Sequence, residues 1–205
     1  MKQFPHFLHK EFNLFKKLDS PSKIQNFLDK FAINFETDGR DTCRSPLKTL
    51  AHKKAHCIEG AMLAAAIFWY HRQKPLLLDL KTTNDDLDHV VALFKQGNRW
   101  GAVSKTNHAV LRYRDPIYKS VREIAMSYFN EYFLDSGKKT LRSYSAPFSL
   151  LSYPADWLTS RKNLWKIPAD LDQSPHFNIM EKSAIKSLRP ADPIEIKAGK
   201  LVQWN

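Results

Sequence analysis

Cysteine is scarce in this chain: Cys43 and Cys57 are the only two among 205 residues. That count excludes a disulfide framework, and in a reducing compartment both side chains are expected as thiols. Long apolar runs are lacking too. The most apolar stretch, AMLAAAIFWY from Ala61 to Tyr70, falls far short of the roughly 20 residues a bilayer-spanning helix needs. At the N-terminus the phenylalanines of MKQFPHFLHKEFNLFKK are interrupted by charges, with no secretory apolar stretch and small-residue cleavage site. The expectation is a cytoplasmic protein with no membrane partner. There is no internal repeat, no low-complexity linker and no basic arm. The net charge of +11 raises nucleic acid as a partner, but 17 basic and 11 acidic residues lie up to position 110 and 15 and 10 after it. An excess spread so evenly fits a generally basic surface better than a nucleic-acid groove, so nucleic acid is possible but not favoured.

What the chain does contain is enough apolar material for a core. Hydrophobic residues make up 43% and charged residues 26%, which predicts one folded domain over 1–205. Ser20-Pro21 opens a helix in which Ile24, Phe27, Leu28, Phe31 and Phe35 recur at helical spacing. The polar segment Phe35–Pro46 connects it to a short helix starting at Ser45-Pro46. From Cys57, CIEGAMLAAAIFWYHR is apolar nearly all round and predicts a buried central helix. Three strand-like runs follow, from Leu76, His89 and Arg99, with Gly97-Asn98 as the hairpin turn between the last two. Asp115-Pro116 is then expected to start a helix ending at Gly137, and IEIKAGKLVQW to close the chain as a hairpin. The order predicts an α+β fold, a buried helix packed on an antiparallel sheet.

Cys57 stands where a polar, basic approach (HKKAHC) meets the start of the buried helix. Unpaired N–H groups and the helix dipole favour a thiolate there, protonated His52 or His56 would add to the effect, and the same N–H groups suit an oxyanion. His89, at a strand start, is the candidate base. The set His52-x3-His56-Cys57 offers nitrogen and sulfur donors, but on a helix Cys57 points about 100° away from the shared histidine face, so no metal is expected. His108, Arg112, Tyr113 and Arg114 follow the strands and offer a lining for an anionic or peptide group.

The succession HCIEGAMLAAAIF, LLLDL, DHVVALF and NRWGAVS resembles the core of the transglutaminase-like superfamily, over residues 20–107. The resemblance implies a papain-like fold with Cys57 as nucleophile, Glu59 and Gly60-Ala61 completing the cysteine motif, and His89 as base. It also implies an aspartate four residues beyond Trp100, where this chain has Ser104. A two-residue turn at Gly97-Asn98 puts Ser104 on the His89 face; a loop one residue longer makes His89 face Asn107 instead. Because a carboxamide oxygen is the stronger acceptor, Asn107 is expected to orient His89, with Ser104 in a supporting position. Asp86 and Asp88 are fallback orienters. The implied function is a cysteine-dependent amide or ester hydrolase or acyltransferase acting on a peptide or amide-containing substrate through a thioester, with no cofactor. The alternative is a catalytically silent transglutaminase-like fold serving as a binding module, with an anionic partner as one option.

Overall fold

In the computed structural model residues 3–5, 10–36 and 41–202 are described, so positions 37–40 of the predicted connection and the end of the predicted C-terminal hairpin lie outside the described residues. The Ser20 hydroxyl accepts the Lys23 N–H, and Pro21 opens α1 (Pro21–Leu28). That helix is shorter than its apolar spacing suggests. Phe31 is buried beyond its end and Phe35 is 44% exposed, because the chain turns into β1 (Ala32–Ile33). Ser45 caps α2 (Pro46–His52), and Lys53, at φ 49, reverses the chain into β2 (Lys54–Ala55), which pairs with β1 in parallel.

The central helix, α3 (Cys57–Tyr70), is buried from Ile58 to Trp69. Beyond it come β3 (Leu76–Lys81), β4 (His89–Gln96), β5 (Arg99–Val103) and β6 (Arg114–Tyr118). Then follow α4 (Val121–Phe129), β7 (Ser143–Ser145), β8 (Phe148–Ser149), α5 (Lys166–Asp172), β9 (His176–Asn178), α6 (Lys182–Ile185) and α7 (Pro193–Gly199). Strands run in the order β6-β5-β4-β3-β7-β9, all neighbours antiparallel, with β8 against the start of β3. The fold is therefore α+β with an antiparallel sheet. Period-two alternation splits its two faces: Leu77, Val90, Ala92, Phe94 and Val103 pack under α3, and Leu78, Leu80, Val91, Leu93 and Ala102 pack with Ile124, Ala125 and Tyr128 of α4. Among the described residues, no helix is long and apolar enough to cross a membrane.

Two predicted elements are different in the structure. Asp115-Pro116 lies in β6 and not in a helix; β6 is an edge strand, where a proline without an N–H is tolerated, and the helix starts later, capped by the Ser120 hydroxyl on Glu123 N–H. The helix also ends at Phe129, well before Gly137. At the C-terminus, IEIKAG is helical. Pro193 follows Asp192, whose N–H is taken by the Glu195 carboxylate at 2.6 Å, and this start signal overrides the strand-like alternation.

Two glycines set the geometry around His89. Gln96 pairs with Arg99, so the β4–β5 loop has two residues, with Gly97 at φ 57 in its first position. Gly60 lets the start of α3 press on the segment after β5: a Cβ there would lie 2.4 Å from Lys105 Cβ.

Candidate active site

Cys57 is the first residue of α3, so its N–H and that of Ile58 have no acceptor within the helix. The turn before it is braced by Glu59. This carboxylate is fully buried and accepts from Thr42 Oγ1 at 2.8 Å, Arg44 N at 2.8 Å and His56 N at 3.3 Å. Burial opposes ionisation of the Cys57 thiol, but hydrogen bonds from His56 and His89 and the charge of both rings outweigh it and bring the thiol down to about 5. Part of Cys57 remains exposed. Cys43, by contrast, is buried, and burial, with the Glu59 charge adding to it, pushes its thiol up to about 12.

The two histidines are held differently. His56 Nε2 lies 2.7 Å from the Thr42 carbonyl, which can only accept, so this nitrogen carries a hydrogen and Nδ1 is left for the sulfur. Glu36 and Glu59 lie 3.5 and 3.7 Å from Nε2. Burial lowers the ring's affinity for a proton, but the Cys57 hydrogen bond and the Glu59 charge prevail and raise it to about 9. At neutral pH His56 is thus an imidazolium beside a thiolate.

His89 opens β4 opposite Leu80 and is 6% exposed. Its Nε2 lies 2.8 Å from Ser104 Oγ, and Ser104 Oγ lies 2.7 Å from the Leu111 carbonyl. The hydroxyl hydrogen must go to that carbonyl, so Ser104 accepts from His89 Nε2–H. Nδ1 is then the nitrogen free to meet the thiol. Leu111 holds its carbonyl in place from a left-handed backbone, φ 60, that a leucine rarely adopts.

Ser104 and not Asn107 therefore meets the imidazole, and the two-residue turn is the reason: Ala92 pairs with Val103, which puts the next residue, Ser104, beside Val91 and on the His89 face. Asn107 lies on the wall of the adjoining cleft. That cleft, about 400 Å³, is floored by His56, Cys57 and His89 and walled by Lys105, Val110, Tyr132 and Ile196. Asp86 and Asp88 line it too, but their carboxylates bond Thr140 and Thr82. Of the predicted basic lining, His108 reaches the cleft; Arg114 instead stacks on Tyr128 and pairs with Glu131.

Gln25 was not singled out from the sequence, because it sits unremarkably between Ile24 and Phe27 of α1. Its buried carboxamide donates to the Ser104 carbonyl at 2.8 Å and accepts the Ser104 N–H at 3.0 Å. A glutamine one residue from the apolar stripe was the signal, weak on its own. Compared with known proteins, the chain matches no family model and no curated protein.

Proposed function

We propose that the protein is a cysteine-dependent amide or ester hydrolase or acyltransferase, built on a papain-like core of transglutaminase-like type. The observation that carries this reading is the Cys57 thiol at a helix start, partly exposed to a cleft that His56 and His89 also line. His56, already charged, cannot take a proton, so it serves as the fixed counter-charge. His89 is the base: its Nδ1 holds the proton that the thiol has given up, while Ser104 accepts from Nε2–H. The thiolate attacks a carbonyl carbon, and the oxyanion is met by N–H groups at the start of α3. As the C–N or C–O bond breaks, His89 returns the proton to the leaving amine or alcohol. Water or an amine, deprotonated by the same ring, then resolves the thioester. A peptide or other amide-containing substrate suits the cleft's mixed apolar and charged walls.

The test is covalent trapping. With p-nitrophenyl acetate, intact mass should show one acetyl group on Cys57, removable by hydroxylamine and absent in Cys57→Ala, with His89→Ala slowed by about a hundredfold or more. A specific observation favours a second reading, a silent fold acting as a binding module: the imidazole is oriented by a neutral hydroxyl and not by a carboxylate. Acylation of Cys57 no faster than that of Cys43 would support it over the enzyme.

A further inference from the structure

Behind the strand start that carries His89 lies a second cluster, of carboxylates. Asp79 of β3 is 4% exposed. Its Oδ2 is 3.2 Å from His176 Nε2, while Oδ1 is buried without a hydrogen-bond partner. An orphaned, buried carboxylate oxygen is costly, and native structures rarely leave one unless something fills its place. Two further carboxylates converge on it. Asp88 immediately precedes His89 and is fixed by the Thr82 N–H at 2.7 Å and hydroxyl at 3.0 Å. Asp172 is the last residue of α5. One oxygen from each of the three lies within 4.8 Å of the others.

We propose that Asp79, Asp88 and Asp172 bind a calcium ion. Oxygen donors alone select a hard cation over zinc or copper. Calcium bonds oxygen at about 2.3–2.6 Å and takes carboxylates in flexible geometry, whereas magnesium, at about 2.0–2.1 Å, demands a near-ideal octahedron and keeps most of its waters, so three carboxylates from three separate elements suit calcium better. Lys81 is the competitor. Its ammonium meets Asp172 at the surface, where the two side chains are 36% and 57% exposed, and it leaves Asp79 Oδ1 bare. The ion would join β3, the residue before His89 and α5, three elements otherwise linked there by hydrogen bonds and that surface pair. The site does not depend on the thiol chemistry.

Calorimetric titration of the chelator-treated chain with calcium chloride should show one site and a raised melting temperature. Asp172→Asn, a change at an exposed carboxylate, should remove both, and Lys81→Ala should tighten binding by removing the competing charge. Asp135→Asn, outside the cluster, should bind like the parent. No heat and no thermal shift at millimolar calcium overturns the proposal, as does unchanged binding by Asp172→Asn. Magnesium binding as tightly as calcium overturns the choice of ion. Alkylation of Cys57 in the same sample separates the two readings: a reactive thiol without calcium binding ends this inference alone.

Discussion

The Gln25 carboxamide closes a two-point hydrogen-bond pair on the backbone of Ser104, donating to its carbonyl at 2.8 Å and accepting from its N–H at 3.0 Å. Ser104 in turn receives His89 Nε2–H, so α1 holds the candidate base in place through one residue. Gln25→Leu keeps the volume and leaves two buried backbone groups unpaired, at about 1–3 kcal/mol each. The expected outcome is a folded but less stable protein whose Cys57 alkylates more slowly at every pH. Equal alkylation profiles in the variant and parent would show that Gln25 only packs.

The thiol itself gives the pH test. Held at about 5, Cys57 should be half ionised near pH 5 and fully so by pH 7, whereas a free thiol titrates at about 8.5. The iodoacetamide rate should therefore rise through pH 5 and level off, with Cys43, pushed to about 12, contributing almost nothing. Stability follows the same pair. The lowered thiol contributes stability that is lost as pH falls through 5, and the raised His56 contributes stability that is lost as pH rises through 9. A rate that climbs only above pH 8 would rule out the ion pair.

Removal of the counter-charge separates the two histidines. In His56→Gln the inflection of that profile should move up by roughly one to three pH units, the range for loss of an adjacent opposite charge. The plateau rate should survive, since His89 and its Ser104 contact are untouched. An inflection that stays near 5 would assign the lowering of the thiol to His89 alone.

Ser104→Ala and Asn107→Ala decide which side chain orients the ring. Loss of the Ser104 hydroxyl frees the imidazole to rotate and also strands the Leu111 carbonyl, so alkylation and acylation should slow while secondary structure persists. Asn107→Ala should leave alkylation unchanged, because the side chain lines the cleft without holding the base. A slow Asn107→Ala beside a normal Ser104→Ala would reverse the assignment.

Much of this arrangement could be read in the chain itself because local signals determined it. Ser20-Pro21 and Ser45-Pro46 are cap and first-turn pairs, and both start helices. The all-round apolarity after Cys57 left burial as the sole outcome for α3. Gly97-Asn98 set a register that decides between Ser104 and Asn107, yet preference for the stronger acceptor pointed to the residue that the register turns away. What escaped was non-local. Gln25 and Ser104 are 79 positions apart and share no pattern, and Pro116 looked like a helix start until its place on a sheet edge was known. Alternation at IEIK likewise lost to the Asp192 start signal three residues upstream of its own acceptor, Glu195.

Gly60 provides a test of the spacing that brings Cys57 to His89. A Cβ at this position would sit 2.4 Å from Lys105 Cβ, nearer than real Cβ contacts come, and 3.0 Å from its Cγ. Lys105 cannot simply swing aside, because its ammonium donates to the Leu28 and Phe31 carbonyls and its stem is buried. Gly60→Ala must therefore push the start of α3 away from the segment after β5, the segment that also carries Ser104. Overpacking of this kind costs about 1–3 kcal/mol. It should also lengthen the thiol–imidazole contact, raising the inflection of the alkylation profile from near 5 toward the ordinary thiol range. Gly60→Ser should do the same, whereas Gly97→Ala, in a turn with nothing within 4 Å of the added carbon, should cost stability through its φ of 57 and leave the thiol unchanged. A Gly60→Ala protein with the parent's melting temperature and pH profile would show that the helix and strand accommodate the methyl without moving the site.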